Sequence, residues 1–131
     1  MGDLNCGPSA SELEPLLKDL KLTNPFKNLD SSEQWSHLYV VKDKKTNKIQ
    51  SAKVEQLDYI LLSPGLAKNN QDVKPILERR GLVYYDEVTQ KLSKTDKKVA
   101  DVYKNAKRFA GIAEYGTEAS DHCRIFIDLD V

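Results

Sequence analysis

The sequence predicts a single α/β domain spanning residues 1–131, or part of one, and three observations predict it. Near the end, Ile125, Ile127 and Leu129 alternate with Phe126, Asp128 and Asp130, the period of two of a strand with one face in a core. Leu57-Asp58-Tyr59-Ile60-Leu61-Leu62-Ser63 is a near-continuous apolar run of the kind found in strands covered on both faces. Leu13, Leu16, Leu17 and Leu20 fall at i, i+3, i+4 and i+7, the stripe of an amphipathic helix.

Taken in order, Met1 to Asn5 predicts a short strand broken by Gly7-Pro8. The leucine-striped helix starts near Ser11, which has capping-box spacing to Glu14, and Pro15 fits only in its first turn. Asn24-Pro25 ends it. Trp35 to Val41 reads as a strand, and the turn-rich 42–48 segment predicts a hairpin back through Ile49. Its lysines are a solvated turn or a contact for phosphate. After the 57–63 strand, Pro64-Gly65 turns the chain. A further strand is expected at Leu82 to Tyr85, then a second amphipathic helix from about Thr95 to Phe109, marked by Val99, Val102, Tyr103 and Ala106. Gly111 to Ser120 is expected to be a loop delivering the last strand.

Composition narrows the function classes. Lys plus Arg and Asp plus Glu are 20 each, so no net field argues for or against nucleic acid. Between Lys91 and Arg108 basic residues dominate, with Asp96 and Asp101 the only acids; a solubilising face is the favoured reading over a nucleic-acid contact. No apolar run approaches the length of a membrane span. Cys6 and Cys123 make neither a disulfide framework nor a metal-finger spacing, so a reduced, intracellular setting is expected, with a bacterial or secreted one left open.

The chemistry concentrates in carboxylates. Asp58 lies inside the greasiest strand, and an ionised carboxylate there costs on the order of several kcal/mol unless paired. Of the two histidines, His122, at the start of the other apolar strand, is the better partner: Asp58 can fix its tautomer and support its protonated form. A capped backbone turn or an arginine pair is the alternative. Asp121 and His122 are adjacent in an extended segment and should point to opposite sides. Asp3 and Asn5, two apart, should share a face at a strand's C-terminal end, where an Asp can hold a hard cation and an Asn amide can hold water or phosphate.

Four motifs in series resemble the endonuclease/exonuclease/phosphatase superfamily, which includes exonuclease III-like and deoxyribonuclease-like enzymes. They are Gly2-Asp3-Leu4-Asn5, Trp35-Ser36-His37, Leu57 to Ser63, and Ser120-Asp121-His122. The resemblance covers the whole chain and implies the C-terminal half of a four-layer αββα sandwich, with mostly antiparallel sheet and flanking helices. It implies a Mg2+- or Mn2+-dependent phosphodiesterase, foremost a nuclease, acting on nucleic acid or another phosphodiester. Sphingomyelinase- or inositol-phosphatase-like chemistry is a weaker third possibility. In the implied site Asp3 acts as general base on the attacking water and Asn5 holds water or phosphate. Asp58 orients His122, His122 stabilises phosphoryl charge, and Asp121 helps hold the ion. Trp35 or His37 could line the substrate groove, although a core Trp and a strand or surface His are the favoured readings.

The chain departs from the family pattern at three places. Arg124 stands where the pattern after Ser-Asp-His-x has Pro, and Gln56 where Arg often precedes the strand Asp. The Asn-bearing first strand and metal-binding Glu of the family's first half have no counterpart. The expectation is a fragment that binds metal weakly and turns over slowly or not at all. The competing expectation is a non-catalytic remnant that self-associates, or pairs with a complementary half, through exposed sheet.

Overall fold

A computed structural model describes residues 1–82, 84–112 and 120–131. The predicted hairpin forms between β2 (His37–Lys42) and β3 (Ile49–Glu55), antiparallel from His37↔Glu55 to Lys42↔Ile49, with an irregularity after Val41. Its turn closes because the Asp43 carboxylate accepts the backbone N–H groups of Lys45 and Thr46, at 2.9 and 2.7 Å, and Asn47 takes a left-handed φ of 57°. Those bonds, Thr46 first, hold the Asp43 carboxyl below its usual range. Lys44, Lys45 and Lys48 are exposed around it, as a solvated turn requires.

Leu38 and Ile49 on this hairpin meet two helices, α2 (Asp86–Ser93) and α3 (Lys97–Asn105), in a core built on Trp35, Val88 and Tyr103. The second of these is the expected helix, cut shorter at both ends. Asp96 caps it by accepting from the Lys98 and Val99 N–H groups, and Ala106 leaves helical geometry at ψ 116°. Lys97, Lys98 and Lys104 on it are exposed. The first helix of the pair was not predicted. Tyr85, Val88 and Leu92 carry its buried side, too few turns to stand out as a stripe.

Several other expectations are corrected. The leucine-striped helix is a 3-10 turn at Ser11–Leu13 followed by a π-helical turn at Pro15–Asp19. Ala10 is the cap and the Ser11 hydroxyl bonds Glu12, so no capping box forms. The wider π turn, closed by Leu20 N–H to the Pro15 carbonyl, takes Leu20 off the buried stripe, and it is 59% exposed. The 57–63 run is ladder only at β4 (Asp58–Tyr59), although Leu57, Ile60 and Leu62 are buried and Leu62 bridges Thr23. Ser63-Pro64 starts α1 (Pro64–Asn69) instead of a turn, with Ser63 as cap and Pro at the first helical position. The strand expected at Leu82 to Tyr85 lies earlier, at β5 (Ile76–Glu78). Leu82 and Tyr85 are buried in the core from a connection, and Val83 lies outside the described residues. Of the expected loop Gly111 to Ser120, residues 113–119 also lie outside them.

The fold class is therefore mixed α+β. Among the described residues there are three two-stranded antiparallel ladders: β1 (Gly2–Asp3) with β4, β2 with β3, and β5 with β6 (Arg124–Phe126). A second apolar cluster, Phe26, Ile60, Leu62 and Ile125, gathers α1 and the residues after β6, so the period-two burial of Ile125, Ile127 and Leu129 holds beyond the short ladder. One isolated bridge, His37↔His122, ties the edge of the hairpin to the segment entering β6. Among the described residues no helix is long and apolar enough to cross a membrane.

Candidate functional site

The site forms where three chain segments are pinned together by Ser36. This residue is fully buried; its hydroxyl oxygen accepts the Leu57 and Asp58 N–H groups at 3.1 and 3.0 Å, and its carbonyl accepts the Cys123 N–H at 2.6 Å. One side chain and one peptide thus fix the start of β4 beside the start of β6. Gln56, 3% exposed, bonds the Asn24 side chain and the Asp58 carbonyl from below. At this position the amide needs no counter-ion.

On that platform the Asp58 carboxylate lies 2.8 Å from Nδ1 of His122, with side chains 16% and 29% exposed. Asp3 is the cross-strand partner of Asp58, so both carboxylates project from one face of the β1–β4 ladder. Two like charges directly opposite destabilise a ladder unless a cation sits between them. An oxygen of each and a nitrogen of His122 lie within 4.8 Å of one another. Burial opposes protonation of His122, but the hydrogen bond and charge of Asp58, with smaller contributions from Asp121 and Asp3, outweigh it and hold the imidazole pKa above its ordinary value. The arrangement is a positively biased imidazole, held in one orientation and flanked by an exposed carboxylate.

Asn5 is corrected in one respect. It does not share a strand face with Asp3: its φ is 53°, and its backbone N–H turns back to donate to the Asp3 carboxylate at 2.8 Å. Asp3 is thereby steadied by the residue expected beside it. Trp35 follows the favoured core reading and not the groove one. It is 2% exposed in the core, its indole N–H donates to the Ser32 carbonyl, and the Arg79 guanidinium covers its ring at 4.2 Å, so it lines no groove. His37 is buried too, but at the site: its ring packs on that of His122 with centroids 4.6 Å apart. Asp121, 66% exposed, reaches Nε2 of His37 at 3.4 Å. The expected divergence of Asp121 and His122 is only partial, because donor atoms of His37, Asp121 and His122 also lie within 4.8 Å of one another.

Ser36 was missed by sequence reasoning. It stands in the Trp-Ser-His motif, but a lone serine in a strand carries no signal that its hydroxyl will accept two N–H groups from residues more than twenty positions away. Cys6 and Cys123 are free thiols; burial pushes that of Cys123 up to about 12, which keeps it protonated and unreactive. Comparisons with protein-family models, curated proteins and solved structures returned no match.

Proposed function

We propose that this chain is a metal-dependent phosphodiesterase, foremost a nuclease, corresponding to the C-terminal half of a four-layer αββα domain and working in a reducing intracellular setting. The observation that carries the reading is the 2.8 Å contact of Asp58 with His122 directly across from Asp3. Asp121, whose carboxylate lies with donor atoms of His37 and His122, would offer a hard oxygen to a magnesium-like ion that keeps most of its waters, while Asp3 lies in the neighbouring group with Asp58 and His122. When bound, such an ion lowers the pKa of a coordinated water and neutralises phosphate charge.

The chain's own residues do the rest. Asp3 takes the proton of the attacking water, and Asn5 holds that water or a phosphate oxygen. Asp58 keeps Nδ1 of His122 engaged, leaving Nε2 to donate to a phosphoryl oxygen as negative charge builds there. His37 packs behind the His122 ring and limits its rotation. In-line displacement at phosphorus depends chiefly on such positioning and charge neutralisation. The test is Mg2+-dependent hydrolysis of bis-p-nitrophenyl phosphate and of plasmid DNA by the chain. His122→Ala is expected to lower the rate about 10²–10³-fold, the usual loss for one charge-stabilising donor, and Asp3→Ala to abolish it. Equal rates in wild type and both variants would refute the reading.

A specific observation favours a second reading, a self-associating or complementing module. Ile76 and Phe126 pair across the β5–β6 ladder and are 48% and 38% exposed, an apolar face open to a second copy or to a complementary half-domain. Concentration-dependent sedimentation without metal-dependent hydrolysis would select this reading.

A further inference from the structure

The buried His37 is poorly served by hydrogen bonds. Its Nε2, the nitrogen that faces Asp121, stands 3.4 Å from that carboxylate, beyond the usual 2.7–3.2 Å of an N–H···O bond. A buried polar group left in this state calls for a physical reason, and a bound ion is one. The separation itself is informative. Two ligand atoms, each 2.0–2.1 Å from a tetrahedral ion, stand about 3.4 Å apart, which is the His37–Asp121 gap. The third donor is already prepared. His122 has Nδ1 on the Asp58 carboxylate, the outer-shell arrangement that orients an imidazole so that its other nitrogen can bind metal.

We propose that His37, Asp121 and His122 form a binding site for a divalent transition metal of the zinc class. Two imidazoles and one carboxylate suit zinc, cobalt or nickel far better than magnesium, which prefers oxygen and surrenders water reluctantly. The site goes beyond the hydrolytic reading and does not depend on it, because it needs neither substrate nor turnover. Its two carboxylates divide the work: Asp121 is a ligand, whereas Asp58 acts through His122. A metal held here takes His122 away from phosphoryl oxygens, so zinc inhibits whatever magnesium-dependent hydrolysis the chain performs.

The experiment is titration of the full chain with Co2+ and Zn2+, following visible Co2+ absorption and, separately, binding heat. Expected are one ion per chain, the intense visible bands of tetrahedral nitrogen–oxygen ligation, and no displacement by a hundred-fold excess of Mg2+. His37→Gln and Asp121→Asn should each weaken binding at least about tenfold, Asp58→Asn about tenfold through orientation alone, and Asp3→Asn not at all. Should His37→Gln fail to fold, Asp121→Asn decides, since that carboxylate is exposed. Unchanged affinity in Asp121→Asn, displacement by Mg2+, or the charge-transfer bands of thiolate ligation would each overturn the assignment.

Discussion

Two carboxylate–imidazole pairs stand side by side in this molecule and differ in which partner is hidden. In Asp58–His122 the carboxylate is the more buried, the contact is 2.8 Å, and the backbone beneath is clamped by Ser36. In Asp121–His37 the imidazole is buried, the carboxylate is 66% exposed, and the contact is 3.4 Å. A half-buried anion has little water to satisfy it and holds its cation firmly, whereas an exposed one is already solvated and screened and gains little from the pair. Identical chemistry thus yields a firmly oriented imidazole in one case and a loose contact, open to other ligands, in the other. Burial of the acid decides which.

The comparison can be broken by removing each acid in turn. The largest expected effect is on catalysis: Asp58→Asn should lower magnesium-dependent hydrolysis about 10–100-fold with little change in KM, because it acts through the orientation of His122. Next comes the clamp. Ser36→Ala leaves two N–H groups unsatisfied at a buried site and should cost about 1–3 kcal/mol in urea unfolding, along with a fall in activity that Ser36→Thr partly restores. The smallest effect is that of Asp121→Asn on metal-free stability, expected within about 0.5 kcal/mol by the same measurement. A large loss there would mean that the exposed pair is structural and that the contrast drawn between the two acids is wrong.

How much of this was legible in the sequence follows from where each signal resides. The β2–β3 hairpin was, because alternation and an Asp-led turn are local and agree with each other. The pairing of Asp58 with His122 was legible as a need: a carboxylate among leucines requires a partner, and His122, at the start of the other apolar strand, was the better placed of the two histidines, with a backbone cap or an arginine as the alternative. The leucine stripe misled, since spacing at i, i+3, i+4 and i+7 assumes a continuous α-helix. Pro15 has no N–H with which to continue the first turn, so the following residues wind more widely. Ladder lengths were overread for a different reason. Leu57, Leu62 and Leu82 are as apolar as strand residues because the core needs them, whether or not their backbones pair. The role of Ser36, and the packing of His37 on His122, depend on which segments meet, and no local pattern states that.

The electrostatic consequence is directional. With its pKa raised in the folded chain, His122 contributes stability that is full below its unfolded value, near 6.5, and lost as pH rises through the folded value. The most direct test of the central claim is therefore the titration of the His122 ring, followed by long-range nitrogen–proton NMR in metal-free wild type and Asp58→Asn. The expected result is a wild-type midpoint above the ordinary histidine value, with Nδ1 protonated toward Asp58, and a clear fall in the variant. Coincident midpoints in the two proteins would contradict the account, because Asp58 would then neither charge nor orient the imidazole.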